Sequence, residues 1–257
     1  MDTEPSHWIA ALRRSQEHLR SLVEPLDADR LRGPSYASEW SIAQVLAHLG
    51  SGAEIFNLFL DAGLAGNPPP GRERFEPIWE AWNAKSADEQ ASDALATDGA
   101  FVGRISALDP DQRDNLHLSM FGMDIDAIGL MRMRLGEHAV HTWDIAVVLD
   151  ETAAVAPDAV VLLIDTLGQL VARLGNPTGV PLRVAIHTTD PGRDFLLDIG
   201  DSVVLSPTDG DAGEADLRIP AEALLRLVYG RLDPAHSPPI EAGGVDLDAL
   251  RSVFPGF

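Results

Sequence analysis

Through the first 150 residues apolar side chains recur at intervals of three and four, the spacing that lines one face of an α-helix. Ile9, Leu12, Leu19, Leu22 and Val23 predict a helix from about Ser6 to Val23, stopped by Pro25. A second stripe, Ile42, Val45, Leu46, Leu49, Ala53, Phe56 and Leu60, follows a strong start signal. Ser41 is its N-cap, Gln44 completes a capping box, and Trp40 faces Val45 as a hydrophobic staple. The run from Gly63 to Pro77, with Pro68-Pro69-Pro70-Gly71, breaks the pattern and predicts a loop. A third helix starts at Ser86, where Glu89 can close another capping box, and ends at Asp109-Pro110. The fourth begins near Asp124 and carries Ile128, Met131, Leu135, His138, Ile145 and Leu149. Four such helices predict a bundle.

After Asp150 the period changes. A fifth helical segment, Pro157 to Leu174, is closed by Gly175-Asn176-Pro177. Alternating runs follow: Leu182, Val184, Ile186 and Thr188; Phe195, Leu197 and Ile199; Val203 and Leu205. Period two with Asp190-Pro191-Gly192 and Gly200-Asp201 between them predicts antiparallel strands joined by tight turns. Ala215 to Ile219 reads as a further strand, Pro220 to Tyr229 as a helix, and Val245 to Val253 as a closing helix. The expected fold is therefore α plus α+β: a helical bundle over residues 1–152, then a bridging helix and a small α+β domain over 153–257.

Composition narrows the chemistry. The 257 residues carry a formal net charge of −21, a field that repels phosphate backbones and anionic lipid, so neither nucleic acid nor membrane is an expected partner. The acidic start, Met1-Asp2-Thr3-Glu4-Pro5, does not read as a signal peptide and no apolar run has the length of a membrane span; the expected address is the cytoplasm. With no cysteine, any metal must be held by His, Asp or Glu. Lys85 is the one lysine, so a cationic contact to substrate falls to arginine.

Against that background Glu137 and His141, four residues apart, share one helix face, and a carboxylate and an imidazole there can converge on one ion. His48, on the edge of the second helix's apolar stripe, is expected to be largely buried and in need of a partner. If the two helices pack together, the three side chains make a two-His, one-Glu set with room for a fourth ligand, the open arrangement of catalytic zinc. A plain His48–Glu137 hydrogen bond between helices is the alternative. Asp144, three residues beyond His141, is placed either to accept that ring's second N–H or to face solvent. Arg231 follows a helix-ending glycine, which leaves it either turned toward an anionic ligand or paired with Asp233. His7, His18, His117, His187 and His236 show no ligand spacing.

The segment Trp40-Ser41-Ile42-Ala43-Gln44-Val45-Leu46-Ala47-His48-Leu49, with Glu137-His138-Ala139-Val140-His141-Thr142-Trp143-Asp144, resembles the paired signature of the DinB-like, mycothiol-dependent maleylpyruvate isomerase family. The tail, Leu224 to Asp233 and then Ile240 to Val245, resembles that family's sterol-carrier-like C-terminal domain. The resemblance implies a divalent metal, zinc by family habit, on His48, Glu137 and His141. It implies a catalytic role for Arg231, mycothiol as thiol cosubstrate and a small-molecule electrophile as substrate. The expected activity is isomerase or S-transferase by addition of a metal-activated thiolate. A metal-dependent hydrolase and a ligand-binding protein with a structural metal are the rival expectations. Oligomeric state is not legible.

Overall fold

The computed structural model describes residues 4–37, 39–208 and 215–256. Two compact units divide the chain, Met1–Ala153 and Ala154–Phe257, the first helical and the second built on a sheet.

In the first unit the elements run α1 (Pro5–Val23), α2 (Ala28–Leu31), α3 (Ile42–Leu64), α4 (Glu76–Asn83), α5 (Ala87–Ala107), α6 (Pro110–Asp114), a hairpin of β1 (Leu118–Met120) and β2 (Met123–Ile125), and α7 (Ala127–Ala146). The four long helices form the bundle: α3 packs on α5 and α7, and α1 packs on the same two. Both predicted capping boxes form, Ser41 with Gln44 and Ser86 with Glu89, which ends the helices on satisfied N–H groups. The stripes point inward as their spacing requires, with Leu19, Leu46, Leu49, Leu60 and Leu135 all buried.

Several short elements escape the periodic reading because they are too brief to show a period. The expected loop from Gly63 to Pro77 contains a 3-10 turn at Arg72–Arg74 and leads into α4. Trp82 of α4 is buried over α3, where a Cβ on Gly50 would overlap its ring, and its indole N–H donates to Glu54 at 2.9 Å. The β1–β2 hairpin lies inside what reads as the lead-in to the fourth helix, so α7 begins at Ala127 with Asp126 as cap rather than near Asp124.

The second unit opens with α8 (Pro157–Leu163), a 3-10 turn at Ile164–Thr166, and α9 (Leu167–Leu174), so the single bridging helix of the sequence reading is in fact interrupted. Then come β3 (Leu182–Thr189), β4 (Arg193–Ile199), β5 (Val203–Pro207), β6 (Leu217–Pro220), α10 (Ala221–Val228), β7 (Glu241–Ala242) and α11 (Leu247–Val253). The sheet order is β5-β4-β3-β6-β7. The first three strands are antiparallel as expected, while β6 returns parallel to β3 and β7, absent from the sequence reading, pairs with β6. Val184, Ile186, Phe195, Leu197, Ile219 and Leu224 lie in its core. Across the sheet from them, His187 pairs with Asp194 and Arg183 with Asp198. No helix among the described residues is long and apolar enough to cross a membrane.

Candidate metal centre

Packing α3 against α7 brings His48 beside the Glu137 and His141 pair. His48 Nε2 lies 3.2 Å from Glu137 Oε2, and His141 Nε2 lies 3.7 Å from the same oxygen. One ligand atom from each residue falls within 4.8 Å of the other two. Tetrahedral zinc, with bonds of about 2.0–2.2 Å, sets its ligand atoms about 3.3–3.5 Å apart, so these side chains fit such an ion with only small adjustments.

The set is closed below and open above. His141 is 2% exposed and Asp144 fully buried, whereas the side chains of His48 and Glu137 are 36% and 32% exposed. Asp144 Oδ2 accepts from His141 Nδ1 at 2.9 Å, which fixes the tautomer and leaves Nε2 facing Glu137 with its lone pair. The loop before α3 anchors this corner. Tyr36 N–H donates to the Asp144 carbonyl at 2.9 Å, and its ring meets Trp143 edge-on at 4.6 Å. Trp40, 38% exposed, stands at the mouth with its ring 5.3 Å from His48 and 6.3 Å from His141.

Electrostatics favour the ligating forms of Glu137 and His141. Burial pushes the Glu137 carboxyl up, but the His48 hydrogen bond and the charges of His141, His48 and Arg134 outweigh it and bring it down to about 2. Burial lowers His141 from its ordinary value against the opposing pull of Asp144, which favours the neutral, metal-binding imidazole.

Arg231 sits in the second unit, after Gly230 at φ +70 and 5% exposed. Its Nη1 donates to the Tyr229 carbonyl at 2.7 Å, so the guanidinium is folded back onto its own turn instead of standing out from it. Asp233, in the same turn, accepts from His236.

Two buried charges went unread in the sequence, Asp98 and Arg134. Their signal was there: Asp98 lies on the same stripe of α5 as Ala94, Leu95, Phe101 and Val102, and a charge amid such neighbours must be paired.

These features define a two-unit protein whose helical bundle carries an open His, Glu, His cluster. Residues 12–146 match the family model of the mycothiol maleylpyruvate isomerase N-terminal domain, and the chain belongs to that family. Over 95% of this chain and 96% of the other, the fold is similar to the crystal structure of the mycothiol-dependent maleylpyruvate isomerase, with a TM-score of 0.69 and 13% identity. A second crystal structure, of a histidine-to-alanine mutant of that isomerase, gives the same figures. At this identity the likeness is one of fold. Comparison with curated proteins finds no match.

Proposed function

We propose that the protein is a thiol-dependent isomerase that uses mycothiol and a divalent metal, zinc by the character of the donor set, on a small electrophilic substrate. The observation that carries this reading is the open cluster of His48, Glu137 and His141, which lies inside the family-matched region. A divalent metal held there supplies a Lewis acid that lowers the pKa of an incoming thiol and makes it a nucleophile at neutral pH.

The chain's own residues do the rest. Asp144 orients His141, Glu137 offers the anionic donor, and the partly exposed faces of His48 and Glu137 leave room for the thiol. Trp40 gives the mouth an apolar wall. In the isomerase reading the thiol sulfur bonds to one carbon of a cis double bond, the other carbon gains a proton, and rotation about the new single bond follows. Loss of that proton and of the thiol restores the double bond as trans, with no net consumption of thiol. Retention of the adduct makes the same site an S-transferase. Arg231 is proposed, on the family resemblance, to meet an anionic group of substrate or thiol.

The test is thermal shift and turnover with two thiols. Mycothiol raises the melting temperature and supports conversion of a cis-unsaturated acid, while glutathione at equal concentration does neither. Equal melting shifts with both thiols, or with neither, overturn the reading in favour of a metal-dependent hydrolase or a ligand-binding protein.

A further inference from the structure

One helical turn beneath the candidate centre, a chain of polar contacts crosses the core and draws on all four bundle helices. Ser15 of α1 lies 2.7 Å from His138 Nδ1 of α7. His138 Nε2 lies 3.0 Å from Asp98 Oδ2 of α5. The other oxygen of Asp98 accepts from Arg134 of α7 twice, from Nε at 3.2 Å and from Nη2 at 2.6 Å. Arg134 Nη2 also donates to the carbonyl of Leu49 on α3 at 2.9 Å. Arg134, His138 and Asp98 are each 1% exposed.

Stability alone does not account for this arrangement. A buried ion pair is commonly matched or bettered by apolar side chains of similar volume. Moreover, the network takes a carboxylate, a guanidinium and an imidazole out of water together, a desolvation cost that apolar side chains lack. The guanidinium fits between the rings of Phe56 and Phe101, at 5.7 and 6.0 Å, and against the bare Cα of Gly52, where a Cβ would come 3.2 Å from Nη1.

Its placement suggests another role. Arg134 lies one turn before Glu137 and His138 one turn before His141 on the same helix, and Leu49 adjoins His48. Apolar side chains let two helices slide at small cost, whereas directional hydrogen bonds select one register. A slide of α7 along α3 by a few ångströms would part His48 from Glu137.

We propose that Asp98, Arg134, His138 and Ser15 form a positioning network that sets the α3–α7 register at which His48 meets Glu137 and His141, so that metal affinity depends on it. This rests on the metal reading above. The experiment compares wild type with Asp98→Leu/Arg134→Met, which removes both charges together, and with Arg134→Lys, whose single ammonium cannot span Asp98 and the Leu49 carbonyl as the fork does. Cobalt(II) is the probe, read by its dissociation constant and visible absorption, with melting temperature in parallel. The double variant is expected to melt at or above the wild-type temperature yet bind cobalt about 10- to 100-fold more weakly, with a changed spectrum. Arg134→Lys, the more conservative change, is expected to weaken cobalt binding by less and decides the matter should the double variant not fold. Wild-type affinity and spectrum in either folded variant overturn the network. A wild-type protein that takes up no cobalt overturns the metal reading and the network with it.

Discussion

Both units pair histidine with carboxylate, and with different results. In the second, His187 lies 2.8 Å from Asp194 and His236 3.0 Å from Asp233, each pair partly exposed. In the first, His48 and His141 share one oxygen of Glu137, and Asp144 takes the remaining nitrogen of His141. Apart from the 3.7 Å between His141 and Glu137, the individual contacts are alike in length. What separates the units is convergence: two imidazoles directed at one carboxylate from two helices, with the base of the cluster dry and its mouth wet. A lone His–carboxylate pair is an ordinary surface feature worth a fraction of a kcal/mol, whereas a convergent set creates a position that could hold a cation.

Removing one arm of the convergence is expected to have the largest effect. His48→Ala or His141→Ala is expected to lower bound metal from about one equivalent per chain to none. Catalytic efficiency should fall at least about 10³-fold, roughly 4 kcal/mol of barrier. Elemental analysis of protein purified without chelator checks the first part, and wild type that takes up no added zinc sinks the site.

How far the sequence foretold this contrast depends on the range of the interaction. The i, i+4 spacing of Glu137 and His141 and the caps at Ser41 and Ser86 are local, so they are legible and appear in the structure. His48 was readable as an imidazole on the edge of an apolar stripe, though its partner 89 positions away could only be posed as a question. The His48–Glu137 hydrogen bond, the alternative the sequence also allows, is present in the structure. Asp98 and Arg134 went unread because 36 residues separate them and pattern reading pairs only neighbours. Short elements such as α4, the β1–β2 hairpin and β7 were lost for lack of length. The parallel return of β6 follows from chain topology, which alternation along a strand does not encode.

Each unit also buries an arginine whose partners differ, Arg134 in the first and Arg231 in the second. Arg134 is held by a carboxylate and a carbonyl, while Arg231 turns onto the carbonyl of Tyr229. If Arg231 meets an anionic group in the reaction, Arg231→Leu lowers catalytic efficiency by about 10²-fold and leaves metal content unchanged. Because the guanidinium is packed into its turn, the melting temperature is measured alongside. Full activity in the variant, or a loss of metal, removes Arg231 from the reaction.

Weakening convergence without abolishing it comes next. Asp144→Asn keeps the shape beneath His141 but removes the charge and weakens the hold on its tautomer. Metal affinity is expected to fall about 10- to 100-fold with little change in fold. Competition with a chelating dye measures it, and an affinity within twofold of wild type would show that Asp144 serves packing alone.

The smallest effect belongs to the partly exposed His187–Asp194 pair of the second unit. His187 and Asp194 face each other across β3 and β4 with side chains 31% and 34% exposed, so solvent already screens their attraction. Replacing His187 by Ala should shift stability by no more than about 0.5 kcal/mol, measured by urea denaturation, with metal content and turnover unchanged. The result matters because the contact is as short as that between His141 and Asp144, at 2.8 against 2.9 Å. If His187→Ala cost as much metal or activity as His141→Ala, contact length rather than convergence would be the governing variable, and the distinction drawn between the two units would fail.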